Sequence, residues 1–450
     1  TAGTTIGVRS TGGAVQLGTT SSGGTQTLRA AQGVSFTRLA TTGVAGDAGD
    51  VNVTSDAAAI RGGTVVANGS ATLIAAADNT GATLTAATGD AVLRAGGVVR
   101  WNTIRAGGRL FVESTGGSIE LGTALSGGSQ VLRAENDIVF DRLEATGTSS
   151  DPGNIDLSAR HGQVRGNRLL ARGNVGVASS ADISFATLQG DTPSLSTPRD
   201  IVVAELNVFR SVALAADRID VTATQLPSSP AVPLRMTVTG FDGGVATAAN
   251  LTINAPVVAI DRYRVVDSTL TTTALWLAIA QGYVPGQMQL NVPAGNVLLA
   301  NRSPAPIDGV KLQLYSPSGA FSMTQIGPAN FSDTQVVWYN PTVASVITNY
   351  GGGPFGGTSF VRNSVIDMRN GNAFDPADEH RSGLATLFLL GPQWALRGGP
   401  VIPVQATGSG PAVNLNAGAG GGETRRRTGR KPRDAAAKPP RNARFALAPR

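Results

Sequence analysis

Residues 10–62 of this chain recur at 114–166 without a gap, at an offset of 104 residues. Self-similarity at a fixed period is the sequence signature of a stack of like units, each of which buries its apolar face against its neighbours. The repeat therefore predicts a solenoid. Identical segments in the two copies include residues 10–13 with 114–117, 28–30 with 132–134, and 61–62 with 165–166.

A shorter pattern inside the 104-residue unit indicates the size of one turn. It consists of an aliphatic residue, an aromatic residue two positions on, and an aliphatic residue three positions further. Its copies begin at positions 34, 99, 138 and 183, with a degenerate copy at 201. The complete copies are Val34, Phe36 and Leu39; Val99, Trp101 and Ile104; Ile138, Phe140 and Leu143; and Ile183, Phe185 and Leu188.

The spacing of these copies points to a short coil. Successive starts differ by close to three, two, two and one multiples of about 20 residues. A unit of that length is too short for a helical repeat of ~33 residues but suits one turn of a parallel β-helix. Five turns of about 21 residues would make the 104-residue unit.

The local pattern and the composition agree with this interpretation. Polar and apolar residues alternate at period two in segments such as 50–54, 109–113 and 154–158, which predicts strands with one face inside. Pairs of glycines between such segments permit sharp corners. With 58 glycines, 5% aromatic residues and 15% charged residues, the chain lacks both the bulk of a globular core and the charge of ordinary disorder.

We therefore predict an all-β chain with a parallel β-helix over residues 1–225, in which Val34, Phe36, Leu39 and their counterparts face inward. Right-handed winding is expected because crossovers between parallel strands are overwhelmingly right-handed. Past residue 225 the repeat fades, and the proline-rich residues 226–233 indicate a break.

Residues 226–404 are predicted to form a β-rich capping region, either irregular coils or a small domain. A cap is expected because an open parallel coil exposes an unpaired strand edge. The apolar stretch at 274–280 is too short to span a bilayer and is expected to pack as a helical cap. Residues 405–450 are predicted to be a disordered tail, because their apolar content cannot offset the entropy of ordering.

The positive charge of the chain belongs to this tail. Residues 423–450 carry ten basic and two acidic residues, a net charge of +8, whereas the whole chain is +6, so residues 1–422 sum to −2. A basic segment could bind nucleic acid or an anionic membrane. However, interleaved proline and glycine with one aromatic residue, Phe445, do not indicate a folded nucleic-acid module. No nucleic-acid partner is expected.

The chain contains no cysteine, which excludes disulfides, thiolate metal ligands and thiol nucleophiles. It begins with Thr1 and shows no signal peptide or long apolar run. We expect it to be a piece of a longer polypeptide.

The densest acidic cluster is the candidate for a metal site. Oxygen ligands and an imidazole would suit calcium or a transition metal. The spacing of an EF-hand and the nonapeptide of calcium-binding β-rolls are both absent, so a solvated loop is the favoured interpretation, and neither a metal site nor a cofactor is predicted. The cluster comprises Asp367, Asp375, Asp378, Glu379 and His380.

Catalysis would require convergent carboxylates. Asp137, Asp141 and Glu144 could share one face, but the duplicate copy has no acid at any of the three positions, so the repeat does not need them. His161 lies in a turn-like segment and is expected to be exposed. No catalytic residue is predicted.

Aromatic side chains could stack on sugars. Trp101, Phe36, Phe140 and Phe185 occupy the interior position of the short pattern and are expected in the core. Trp338, Tyr339 and Phe355, near three consecutive glycines, are the better candidates for a contact surface.

The glycine-rich β-coils, with segments such as Gly-Gly-Ser-Ile-Glu-Leu at 116–121 and Asn-Asp-Ile-Val-Phe at 136–140, resemble the repeats of filamentous-haemagglutinin-type adhesins over roughly residues 10–225. These are large exoproteins of Gram-negative two-partner secretion. The N-terminal secretion domain of that family, with its Asn-Pro-Asn motifs, is not present, so the resemblance is to a C-terminal portion.

The resemblance implies an elongated right-handed β-helix and a secreted or cell-surface location at the Gram-negative outer membrane. It also implies attachment to host cells, surfaces or biofilm matrix through glycans or proteins, and an outer-membrane secretion partner. It supplies no catalytic residues. The alternative is a β-helical polysaccharide lyase or glycoside hydrolase, which would need loops of about ten or more residues over clustered carboxylates.

Overall fold

The computed structural model shows a parallel β-solenoid of about 13 turns. It describes residues 3–226 and 232–274 and, beyond them, the short strands that lie between 276 and 416. Each turn contributes one strand to each of two parallel sheets, which we name sheet A and sheet B. Even-numbered strands up to β24 belong to sheet A and odd-numbered strands up to β23 to sheet B, while β25 runs through both.

The strands of these 13 turns are, in chain order, β1 (Ile6–Ser10), β2 (Val15–Ser22), β3 (Gln26–Ala30), β4 (Val34–Thr41), β5 (Val51–Ser55), β6 (Ile60–Ala67), β7 (Ala71–Ala75), β8 (Asn79–Ala86), β9 (Ala91–Ala95), β10 (Val99–Ala106), β11 (Leu110–Ser114), β12 (Ile119–Ser126), β13 (Gln130–Ala134), β14 (Ile138–Ala145), β15 (Ile155–Ala159), β16 (Val164–Ala171), β17 (Val175–Ser179), β18 (Ile183–Gly190), β19 (Pro193–Ser196), β20 (Asp200–Val208), β21 (Ser211–Ala215), β22 (Arg218–Gln225), β23 (Leu234–Thr239), β24 (Ala246–Asn254) and β25 (Val257–Thr272). A short 3-10 helix spans Phe241–Gly243.

The later strands continue the parallel pairing. They are β26 (Trp276–Ile279), β27 (Gly282–Tyr283), β28 (Gln287–Asn291), β29 (Asn296–Asn301), β30 (Lys311–Tyr315), β31 (Phe321–Ile326), β32 (Gln335–Tyr339), β33 (Val346–Tyr350), β34 (Val365–Arg369), β35 (Leu387–Leu389), β36 (Ala395–Arg397), β37 (Val404–Ala406) and β38 (Asn414–Asn416).

The predicted turn length is confirmed by the strand positions. The offset of the long repeat separates β2 from β12, which start at Val15 and Ile119 and lie five turns apart. Copies of the short pattern fall in β4, β10, β14, β18 and β20, so successive copies are three, two, two and one turns apart. Three turns are longer than their neighbours: the turn from β4 to β6, the turn from β14 to β16 and the turn from β22 to β24. The first two contain a duplicated insertion, residues 44–49 in the first copy and 148–153 in the second.

Inward-facing columns form the core, as the short pattern predicts. In β14, Ile138, Phe140, Leu143 and Ala145 are all at most 4% exposed. They occupy positions one, three, six and eight of the strand, so the alternation of period two is interrupted at positions four and five. The ladder also skips position four between neighbouring strands. Such an eight-residue strand is therefore two segments of period two, between which two successive residues face away from the interior.

Aromatic rings in this interior lie against glycines of the neighbouring turn. Phe140 and Phe185 flank Gly166 on either side, with ring centroids 6.0 Å apart. Trp101 pairs in register with Gly81, and a Cβ on that glycine would lie 2.3 Å from the indole ring. The prediction that the aromatic residues belong to the core is thus confirmed. Each large ring fills the space that a missing side chain leaves in the next turn.

Acidic and amide side chains at the corners are bound to the backbone of the following turn. The Asp78 carboxylate accepts a hydrogen bond from the Val98 N–H at 2.9 Å, and Asp90 accepts one from the Arg109 N–H at 2.7 Å. These bonds satisfy N–H groups that the ladder leaves unpaired at a corner. Further examples are Asp50 with Ser70, Asp137 with Gln163, and Asn154 with Asn174.

The solenoid continues past the break expected at residue 226. Strands β23 and β24 pair in parallel with β21 and β22, so residues 234–272 form further coils of the same two sheets. The expected helical cap at 274–280 is wrong, because β26 pairs in parallel with residues 257–260. Leu277 and Ile279 are buried at period two, and the exposed ladder of the preceding turn supplies their backbone partners.

The predicted tail is described only in part. Strand β38 lies inside residues 405–450, whereas residues 417–450 lie outside the described residues. Disorder of the tail stays a prediction, as does the handedness of the winding.

Candidate functional site

The acids considered for catalysis have separate partners. Asp137 accepts a hydrogen bond from the backbone N–H of Gln163 at 2.9 Å, and Asp141 accepts one from the Asn167 side chain at 3.2 Å. Glu144 pairs with the arginine two residues before it. Each of these three carboxylates therefore has its own hydrogen-bond or ion-pair partner.

The other predicted sites are placed as follows. His161 is exposed, as expected, and its Nε2 lies 3.3 Å from a Glu135 oxygen. Trp338 and Tyr339 lie in β32, but their side chains, like Phe355, fall outside the described residues. Of the acidic cluster at 367–380, Asp367 lies in β34. Asp375, Asp378, Glu379 and His380 lie outside the described residues.

The duplicated insertion is a compact loop closed by an aspartate in each copy. Asp151 is 8% exposed and accepts hydrogen bonds from Gly153 N at 3.0 Å, Arg109 Nε at 2.8 Å and the Ser129 hydroxyl. Burial alone would raise the pKa of Asp151, but these hydrogen bonds outweigh it and hold the pKa well below its usual range. Asp47 has the same role in the first copy.

At Asp47, hydrogen bonds from the hydroxyl and N–H of Thr25 and from the N–H of Gly49 lower the pKa of the carboxyl group. The positive φ of +74° at Gly49 lets the chain return sharply into β5. The two retained aspartates therefore stabilise the loops. Either carboxylate could bind a ligand only if its hydrogen bonds were broken and the loop opened.

A groove across the last four of the 13 turns is the candidate site. It has a volume of about 690 Å³ and runs across four consecutive turns at the start of the sheet A strands β20, β22, β24 and the second half of β25. We call it the axial groove because residues in register lie one above another along the solenoid. Its lining residues are Asp200, Ile201, Val202, Arg218, Ile219, Asp220, Ala248, Ala249, Asn250, Asp267, Ser268 and Thr269.

Three parallel columns build the groove. The column that contains Ile201 and Ser268 faces inward and is buried. The columns on either side face outward, one beginning at Asp200 and the other at Val202. Alternation at period two thus makes a floor with two walls. The register shifts between Val203 and Leu206 of β20, a β-bulge of the kind that re-aims side chains beside functional sites.

The walls combine charged, polar and apolar groups. Asp220 Oδ1 accepts a hydrogen bond from Asn250 Nδ2 at 3.2 Å. Within the described part of the chain, neither the Asp200 carboxylate nor the Arg218 guanidinium forms an ion pair, although the two residues are in register on adjacent strands. Val202 is 46% exposed. This arrangement can offer hydrogen-bond acceptors, donors and an apolar contact to one ligand.

Two hydroxyls lie in the interior beside the groove. Burial raises the pKa of Tyr263, opposed by the nearby Ser268 hydroxyl. Neither Tyr263 Oη nor Ser268 Oγ makes a hydrogen bond of acceptable geometry with another described atom. Ser268 is 7% exposed and belongs to the groove floor.

Sequence reasoning missed this groove because no local motif marks it. Asp200, Arg218, Ala248 and Asp267 follow one another at unequal separations along the chain, and variable turn lengths hide their common column. The repeat pattern would have indicated the column only if the lengths of the later loops had been known.

Comparison with models of protein families, with curated proteins and with solved structures finds no match for this chain. In the residues that the structure describes, no helix is long and apolar enough to cross a membrane. No group of three or more histidine, aspartate or glutamate side chains in those residues is arranged to hold a metal ion.

Proposed function

We propose that this chain is a structural segment of a large secreted or surface-displayed bacterial exoprotein of the filamentous-haemagglutinin type, which attaches cells to glycans or proteins of host cells, surfaces or biofilm matrix. The observation that carries the proposal is an elongated rod with duplicated segments, residues 10–62 and 114–166. The two segments differ at most of the positions that are charged in either copy but share three arginines. Twelve spacings of about 4.8 Å between the 13 turns make this part of the rod about 58 Å long. Such a length suits a protein that extends a binding surface away from a cell more than one that encloses a ligand.

The retained arginines are the specific feature. Among the charged residues of 10–62, only Arg29, Arg38, Asp47 and Arg61 are identical in the second copy. Asp47 closes a loop, whereas Arg38 and Arg61 are exposed on sheet A. The copies of these arginines, Arg142 and Arg165, lie five turns further on, about 24 Å along the rod. Arg142 is paired with Glu144, whereas Arg61 and Arg165 are both exposed at like positions on one face. Such a repeated basic position favours multivalent attachment, in which linked weak contacts add up.

The test is attachment of the purified chain to cultured cells and to immobilised glycans across a range of salt concentrations. Binding should be multivalent and should weaken with salt, because exposed charges are screened. The double variant R61Q/R165Q should lose more binding than the sum of the two single variants. The variant Thr80→Gln, on the same face but outside the retained set, is the control. A chain that attaches to none of these surfaces would overturn the proposal.

The axial groove favours a second candidate function, a β-helical polysaccharide lyase or glycoside hydrolase. Glycoside cleavage needs two carboxyl groups on either side of the scissile bond, and Asp200 and Asp220 lie in the same groove. Incubation with a panel of polysaccharides tests this alternative. Reproducible cleavage by the wild-type chain, lost in both D200N and D220N, would favour the enzyme over the adhesin.

A further inference from the structure

We propose that the axial groove binds an extended polyhydroxylated chain, a neutral or amine-bearing oligosaccharide, laid parallel to the axis of the solenoid. The inference deepens the proposed attachment function, on which it rests, by assigning a ligand class to one site. It is carried by the shape, the polarity and the net charge of the groove.

The shape requires an elongated ligand. The groove crosses four turns, so its length is three turn spacings, about 14 Å. Its volume of about 690 Å³ lies in the range typical of ligand clefts. Because strands stack in register, each turn adds one outward residue to each wall, and a ligand with a repeating backbone can meet one residue of each wall per turn spacing.

The polarity matches hydroxyl groups. The two walls contain both acceptors and donors: Asp200 and Asp220 accept, whereas Arg218 and Asn250 donate. A sugar hydroxyl both donates and accepts, so it can use either wall. Since the described residues provide no ion pair for Asp200 or Arg218, binding a hydroxylated chain would not require breaking one. The exposed Val202 adds an apolar surface for the C–H face of a sugar ring.

The charge decides which saccharides fit. The groove contains three carboxylates, of Asp200, Asp220 and Asp267, and one guanidinium, of Arg218. A sulfated or uronate-rich chain would be repelled by this excess of negative charge, whereas an amine on the ligand would be attracted. The groove therefore differs in specificity from the part of sheet A that carries Arg38, Arg61 and Arg165, where anionic ligands would be favoured.

The experiment measures binding by calorimetry of the complete chain with three probes of matched length: a neutral cello-oligosaccharide, a chitosan oligosaccharide and an alginate oligosaccharide. Wild type should bind the first two, with the amine-bearing probe at least as tight as the neutral one. The groove variant D220S should weaken the binding of both probes at least tenfold. R218S should weaken the binding of the neutral probe at least tenfold, because it removes the hydrogen-bond donors of the guanidinium. The matched control R105S, at an exposed arginine of sheet A outside both the groove and the retained set, should leave the binding of both probes unchanged.

Several outcomes would overturn the inference. Equal binding of the neutral probe by wild type and both groove variants, or of the chitosan probe by wild type and D220S, would place the site elsewhere, while attachment to surfaces could persist. Alginate binding lost in D220S would contradict the charge argument. Absence of any saccharide binding by wild type would reject the groove as a saccharide site, and only the surface assay would then decide the attachment function. Circular dichroism of each variant checks that a loss is not unfolding.

Discussion

Replacing Gly166 with alanine tests the packing of aromatic rings against glycine in the neighbouring turn. A Cβ at this position would lie 2.2 Å from Phe140 Cε2 and 2.3 Å from Cζ. The Phe140 ring is 4% exposed and has Phe185 on the far side of the glycine, with ring centroids 6.0 Å apart. The ring cannot withdraw into solvent without losing its contacts, so the substitution overpacks the interior.

The magnitude follows from two opposing contributions. Overpacking of a close-packed interior costs about 1–3 kcal/mol, whereas Gly→Ala at an accessible backbone conformation stabilises by about 0.4–1 kcal/mol through the unfolded state. No positive φ is found at Gly166, so backbone strain does not enter. We expect a net destabilisation of about 1–2 kcal/mol, in which the steric contribution exceeds the entropic one.

Hydrogen exchange measured by mass spectrometry is the suitable assay, because long stacks of repeats depart from two-state unfolding and open locally. Amides of β14, β16 and β18 should exchange about 5–30 times faster than in wild type. The control is Gly18→Ala, an exposed strand glycine with no atom within 4 Å of the added Cβ, which should leave exchange unchanged or slower.

A double-mutant cycle identifies the ring responsible. Phe140→Leu should lessen the cost of Gly166→Ala, since contacting residues couple by about 0.5–3 kcal/mol. Strict additivity, or a stabilising effect of Gly166→Ala equal to that of the control, would refute the proposed packing.

Three further predictions concern the core, the loops and the tail. Phe140→Ala should cost about 3–5 kcal/mol by leaving a cavity, and a loss below about 1 kcal/mol in chemical denaturation would contradict core burial. The pKa of Asp151 is held below its usual range despite burial, so its contribution to stability is complete above pH about 4 and decreases as the pH falls below that value. The protection factors of loop amides 146–154, which correct for the slower intrinsic exchange at acid pH, should fall at acid pH in wild type and change less with pH in D151N. Equal pH profiles of the protection factors would contradict this assignment. A trypsin-like protease should remove the basic cluster within 423–450 before it cuts the rod, and equal resistance of both would contradict a disordered tail.

The sequence by itself determined the turn length and the inward columns. Both depend on local alternation and on a repeat that survives at an offset of 104 residues, so Val34, Phe36 and Leu39 could be assigned to the interior without a structure. The same pattern correctly placed the aromatic rings inside.

Tertiary structure alone decided which residues of different turns meet. Parallel stacking pairs Phe140 with Gly166 and aligns Asp200 with Arg218, although the partners of each pair are a full turn apart along the chain and the two turns differ in length. The turns differ because each loop between strands has its own length, and a change of one residue would shift the register and send side chains to the opposite face. The axial groove could not be predicted for this reason, since register across several turns is a property of the whole stack.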